Sequence, residues 1–339
     1  MPGRRRTTTL TSLVLLALAA ATACTSSGPG AAPAGTPAAA PADPQGAGSP
    51  YWVDPQSDAA RQVEAWEAQG RNGDAQVLRR IADQPMALWG AGDDPGPEIR
   101  RAVEGARAAH RTVVLTAYNI PYRDCGQHSA GGAWNATAYR SWIGAFADNI
   151  GDAQALVVLE PDAVPHVVDG CTQAEHHEER YQLLSDAIDR LKRNKNTKVY
   201  LDAGNPAWIP DPQKLVEPLY KAGIERADGF SLNVSNFQPD EAGRAYGAAL
   251  SRGTGGKHFV IDTSRNGAGP LPGSGPQAWC NPPGRALGVR PTDRTGDPLV
   301  DAYLWVKRPG ESDGPCRGGP EAGRWWPDYA LGLARRAKD

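Results

Sequence analysis

Val157-Val158-Leu159-Glu160-Pro161-Asp162 is an apolar run that ends in two carboxylates separated by a proline. The run reads as a buried strand, and Pro161 ends it because its ring nitrogen has no hydrogen to give to a sheet ladder. Asp162 then falls just past the strand, on a loop that a rigid scaffold can hold. That is a suitable seat for a general acid. Glu160, two residues earlier and still on the strand, is expected to brace the strand end through hydrogen bonds rather than to react.

Runs of the same kind recur at 86–89, 113–118, 199–202, 229–233, 259–263 and 302–307, giving seven with 156–160. Segments of helical period lie between them. EIRRAVEGARAA (98–109) puts Ile99, Val103 and Ala106 on one face, and YQLLSDAIDRL (181–191) repeats Leu184, Ile188 and Leu191 at helical spacing. Residues 329–338 make a closing helix. Such alternation implies a mostly parallel sheet with helices outside it.

The strand ends decide between an open sheet and a barrel. Trp89, Tyr118-Asn119, Glu160 and Asp162, Asp202, Asn233, Asp262 and Ser264, and Lys307 place polar or aromatic groups at nearly every C-terminal end. In a barrel these ends converge around one axis, where barrel enzymes build their sites. An open sheet would carry a glycine-rich phosphate loop at its first turn, and none follows Trp89. The expected fold is therefore an α/β, TIM-like barrel of seven parallel strands.

The first fifty residues read differently. Arg4-Arg5-Arg6, an apolar run over 10–21 and the small-residue pattern Ala21-Thr22-Ala23 make residues 1–23 a signal peptide, too short to span a membrane. Cys24 follows at the position of the acylated cysteine in a bacterial lipoprotein, although Ala21 stands where such signals prefer Leu. Ordinary secretion is the alternative. Residues 24–50 are an Ala/Gly/Pro/Ser/Thr-rich linker expected to be disordered, and 51–339 form one domain. The expected location is outside the cell, free or tethered to the membrane face through Cys24. A net charge of −2 with no basic stripe excludes an electrostatic case for nucleic acid. No cofactor is expected, and the chain is expected to be a monomer without a second domain.

Five cysteines in an exported chain suggest two disulfides and one leftover, for which Cys24 is the natural choice. Cys125, Cys171, Cys280 and Cys316 then allow three connectivities. No C-x-x-C pair occurs among them and their spacings are long, so no metal site is expected.

Three acidic residues lie in rigid or cysteine-adjacent settings: Asp124 beside Cys125, Asp162 after Pro161, and Asp313 near Cys316. Hydrolysis of a glycosidic bond needs one protonated carboxyl for the leaving oxygen and another acting on water or on the sugar. A third carboxylate nearby raises the acid's pKa by like-charge repulsion. A single loop Asp more often caps a helix or turn, but three at strand ends beside tryptophans weigh against that reading. Ten Trp against four Phe is an odd balance for a core. Loop residues Trp89, Trp208 and Trp279 suit the flat C–H faces of sugar rings, or else are partly buried anchors.

The segments NIPYRDCG (119–126), LEPD (159–162), LDAG (201–204), IDTSRNG (261–267), CNPPGRALG (280–288) and WVKRPGESDG (305–314) resemble glycoside hydrolase family 6, the cellulases. The likeness runs from about Trp89 to Tyr329. It implies a distorted, incomplete barrel that cleaves β-1,4-glucan with inversion. Carried over by motif, Asp162 is the general acid and Asp124 the neighbour that holds its pKa up. Tyr118 crowds the distorted sugar, and Asp313 is the base, acting on water directly or through a water chain. Lys307 and Glu311 bind the glucose next to the cleaved bond, and Trp89, Trp208 and Trp279 are stacking platforms. Asp202, Asn205 and Asn233 complete the expected sugar-binding set. The resemblance also implies the disulfides Cys125–Cys171 and Cys280–Cys316. Asn205 departs from the family pattern, where His is common; Asn supplies one of the same hydrogen bonds without the charge. Modest inter-strand loops favour endo action, with a cellobiohydrolase of the same family or a non-catalytic glucan-binding lipoprotein as alternatives.

Overall fold

The computed structural model describes residues 48–273 and 275–338, so the signal peptide, Cys24 and most of the linker lie outside the described residues. In chain order the main elements are α1 (Asp58–Ala68), α2 (Asn72–Ala82), β1 (Leu88–Gly90), α3 (Gly96–Ala108), β2 (Val113–Ala117), α4 (Ala136–Ile150), β3 (Ala155–Leu159) and α5 (Pro165–Val168). There follow α6 (His177–Leu191), β4 (Thr197–Asp202), α7 (Gln213–Lys221), β5 (Gly229–Leu232), α8 (Asp240–Gly253), β6 (His258–Asp262), β7 (Val300–Leu304) and α9 (Pro327–Arg335).

The seven strands pair in sequence order, β1 through β7, and every pairing is parallel. Both sheet faces are buried, which is why the strands are apolar at consecutive positions rather than alternating. Val114, Leu156, Val158, Tyr200, Val260, Ala302 and Leu304 share an interior core. Their neighbours Leu115, Val157, Leu201, Phe230, Phe259 and Ile261 pack in a second core with the surrounding helices. Short polar caps start two of those helices: Ser57 Oγ accepts from Ala60 N before α1, and Asn135 Oδ1 from Ala138 N before α4.

No ladder joins β7 to β1 among the described residues, so the sheet curls into a barrel that stays open at one seam. Two bonds cross it: Ala87 N donates to Trp305 O (2.9 Å) and Trp89 Nε1 to Val306 O (2.7 Å). Helices α1, α2 and α9 form a further core around Trp305 with Met86 packed against it, covering the seam with side chains where an eighth strand would otherwise lie.

The last strand differs from its expected span of 302–307. It pairs from Val300 to Leu304, with a register shift at Phe259/Val260. Past Leu304 the amides of Val306 and Lys307 donate to the Asp262 carboxylate instead of to a neighbouring strand. A buried side chain thus takes over the ladder's role and frees the chain to turn toward the barrel mouth. The chain is also held ahead of Tyr51: Thr112 N donates to Pro50 O and Arg111 to Ser49 O.

Candidate active site

The strand ends open on a cavity of about 800 Å³, lined by Trp89, Tyr118, Asp124, Asp162, Asn205, Trp208, Trp279, Lys307, Glu311 and Asp313. Ten of the twelve site residues expected from the sequence therefore share one space. Left-handed backbone at Tyr122, Asp124, Glu160, Asp162 and Asn233 clusters around it. Such conformations cost energy for non-glycine residues and persist where surrounding contacts over-determine them.

Asp162 leaves β3 with φ 71°, after Glu160 at φ 47°. Glu160 is fully buried and accepts from Asn119 N (3.0 and 2.9 Å) and Ile120 N (2.9 Å), so it ties the start of the Asp124 loop to the end of β3. Burial pushes its carboxyl up to about 7 against those amide bonds. Asp162 N donates to Asp202 Oδ2 (3.0 Å), which fixes the backbone that presents the Asp162 carboxyl. Burial first, then the Asp124 and Asp169 carboxylates, push Asp162 up to about 6 against the opposing pull of His166. Asp124 is held by Ser129 N at 2.5 Å and stays partly exposed.

Tyr118 lines the same cavity. Burial and the Asp162 and Asp124 charges raise its phenol well above the ordinary value, so it remains neutral. Arg123 stacks its guanidinium 4.8 Å over the ring and donates to Tyr118 O at 2.6 Å. Trp89 meets the same ring edge-on at 5.2 Å.

Asp313 is set up in the opposite way. Its Oδ2 accepts from Arg265 (2.8 Å) and from Asn281 N (3.0 Å), and Lys307 Nζ lies 3.3 Å from Oδ1. Burial would raise its pKa, but the Arg265 and Lys307 charges outweigh it and hold the carboxyl below the usual range. The adjoining Gly314, at φ +149°, would place a Cβ 2.6 Å from His128, so the Asp313 loop closes on the Asp124 loop only with glycine there. Glu311 pairs with Arg308 at 2.7 Å, and burial raises its carboxyl.

Trp89 and Trp208 are fixed by their indole N–H groups. Trp208 Nε1 donates to Asp169 Oδ2 (2.8 Å), and Trp279 lies 5.9 Å from the His128 ring. Asn205 Oδ1 accepts from Ala207 N and Trp208 N, so this residue shapes the turn that carries Trp208 as well as lining the cavity.

Two residues of the expected sugar-binding set are not among those lining the cavity. Asp202 is fully buried and spends its oxygens on Asp162 N, Gly204 N and Ser231 Oγ. Asn233 is equally buried, donating to Asp262 O and accepting from Gln238 N. Both sit at strand ends, with their side chains engaged by neighbouring protein groups.

Sequence reasoning missed Arg265, Arg180, Asn281 and His166. Arg265 was findable as the only charged residue between Asp262 and Arg285. Arg180, buried on α6, donates to Thr172 Oγ1, Pro121 O and Tyr122 O, joining the loops after β2 and β3. No local pattern marks that role. The two disulfides are Cys125–Cys171, which bridges the same two loops, and Cys280–Cys316, which bridges the loops after β6 and β7.

An open parallel barrel whose mouth holds one carboxyl with a raised pKa and another with a lowered one fits a hydrolytic site of the two-carboxylate class. The sequence matches Glycosyl hydrolases family 6 over residues 46–337, and the chain belongs to that family. It is 42% identical to an endoglucanase A of Cellulomonas fimi over 86% of this chain and 62% of that protein, so it spans less than two thirds of that relative. It is 40% identical to an endoglucanase 1 of Streptomyces halstedii, over 88% of this chain and 92% of the relative. A Mycobacterium tuberculosis endoglucanase, solved in complex with a thio-linked methyl-cellobiosyl cellobioside, shares 44% identity and a TM-score of 0.79, covering 87% and 99% of the two chains.

Proposed function

We propose that this chain is an inverting endo-β-1,4-glucanase acting on internal bonds of cellulose and related β-glucans outside the cell. The observation that carries this reading is the opposed setting of Asp162 and Asp313 in one cavity. Asp162, whose raised pKa lets it carry a proton at mildly acidic pH, gives that proton to the leaving glycosidic oxygen as the bond to the anomeric carbon breaks. Asp313, kept ionised, takes a proton from the attacking water, directly or through a water chain, as the new C–O bond forms on the opposite face. Lys307 and Glu311 hold the sugar beside the scissile bond, neutral Tyr118 crowds its ring, and the three tryptophans carry the chain on either side.

Endo action is supported by the names of the relatives at 40–44% identity. The two disulfides support an oxidising compartment, and acylation of Cys24 would add a membrane tether. The test is Asp162→Ala on soluble cellulose, with product stereochemistry followed by NMR in the wild type. Loss of activity that is largely restored on substrates whose leaving group needs no proton supports the acid role. Retention of configuration refutes inversion, and a slow fall in viscosity per bond cut refutes endo action.

A further inference from the structure

The segment after the acid carries a histidine that the acid–base scheme leaves unused. His166 lies four residues past Asp162, and its amide donates to Asp162 O (2.9 Å), closing one helical turn that brings the ring back beside the acid. The residue is 6% exposed and lines the cavity. One side-chain ligand atom each from Asp124, Asp162 and His166 lie within 4.8 Å of one another. On its other side Nδ1 is 3.7 Å from Asp169 Oδ2, and it is buried without a hydrogen-bond partner. The same Asp169 oxygen accepts from Trp208 Nε1, and the His166 ring meets Trp208 edge-on at 4.8 Å.

The charged groups facing the imidazole are therefore Asp124 from the loop after β2 and Asp162 and Asp169 from its own segment. The loop after β4 contributes the neutral indole of Trp208, with Asp202 behind Asp162. Burial opposes charging the ring, but attraction from Asp169, Asp162 and Asp124 outweighs it.

We propose that His166 is a positioning residue for the acid: an imidazolium that stands against the Asp162 carboxylate as its proton leaves and links it through Asp169 to the Trp208 platform. When Asp162 passes its proton to the glycosidic oxygen, one negative charge appears on a carboxyl that already faces two others. A fixed cation within a few ångströms stabilises that charge where water is excluded. Asp124 and His166 thus pull the acid in opposite directions, and their balance sets where it titrates. The kinetic part of this inference rests on Asp162 being the acid; the titration part does not.

The primary test is a histidine NMR titration of the full chain and of Asp162→Asn. The His166 midpoint is expected to fall by about one pH unit or more when the Asp162 charge is removed. A midpoint shared by the two proteins overturns the proposal. The second test is the pH profile of His166→Gln. Without the cation Asp162 holds its proton longer, so the alkaline limb of kcat/KM moves upward by about one pH unit. The loss in kcat is expected to be larger on cello-oligosaccharides than on activated aryl glycosides. Equal loss at every pH on both substrates would mean a merely structural role. Should His166→Gln fail to fold, the titration decides alone, and should the wild type cleave no glucan, the proposed function fails while the titration still reports on the pair.

Discussion

Replacing Arg265 with Met should separate the electrostatic and the structural work done at Asp313, the proposed base. The guanidinium is fully buried and the Asp313 side chain is 3% exposed, with one charge-assisted bond of 2.8 Å between them. Arg265 also donates to Ser235 O and stacks 4.5 Å over Phe237, so Met keeps the packing and removes the charge. Breaking a buried pair from one side costs about 3–5 kcal/mol, because the abandoned carboxylate has lost its solvent as well as its partner. Lys307 remains 3.3 Å away and blunts this, which places the expected loss toward 3 kcal/mol. The sign of the pH effect follows from the depressed Asp313 pKa. Its contribution to stability is present above the unfolded carboxylate value and lost as pH falls through the folded one. Without Arg265 the carboxyl protonates more readily, so the acid limb of kcat/KM moves up by at least about one pH unit. Urea denaturation and a pH–rate profile on soluble cellulose read the two effects, and Arg265→Lys should recover most of the limb. An acid limb unmoved in a folded Arg265→Met protein would refute the electrostatic account of Asp313.

In the wild type the alkaline limb of kcat/KM should lie near pH 6, where Asp162 gives up its proton, and the acid limb below the ordinary carboxylate range. Glu160, raised to about 7, contributes stability that is complete below its unfolded value and lost as pH rises through the folded one, so the urea midpoint should be lower at about pH 8 than at about pH 5. Reducing both disulfides, which close loops of 46 and 36 residues, should cost up to about 4 kcal/mol each and slow catalysis before it unfolds the barrel; activity and circular dichroism measured together in dithiothreitol check the order. Trp208→Ala should raise KM roughly five-fold with little change in kcat, from loss of about 1 kcal/mol of stacking. A fall in kcat alone would move Trp208 from binding to the chemical step.

Much of the architecture was legible without coordinates. Strand count, parallel order and the gathering of strand ends at one mouth follow from local patterns, because a strand buried on both faces must be apolar throughout and its end must be punctuated. The half-cystines and the carboxylates after β2, β3 and β7 stand out for the same reason. Helices α1 and α2 were not legible, since their apolar faces are short and become meaningful only against Trp305 and α9. The end of β7 was misplaced because a carboxylate on β6 takes the amides that a ladder would have used.

Roles within the site divide along the same line. Asp162, Asp124 and Asp313 stand out in the chain as candidate reactive carboxyls, and all three line the cavity. Which of them holds a proton and which stays ionised depends on burial and on charges brought from distant segments, such as Arg265, which lies 48 residues before Asp313. Asp202 and Asn233 end strands, and folding turns them inward, where they accept from backbone amides. Where the chemistry could lie is written locally, since strand ends and their punctuation are properties of neighbouring residues. Only the tertiary structure decided which group does what, because protonation is governed by the field of every charge within a few ångströms, and the chain does not list those in order.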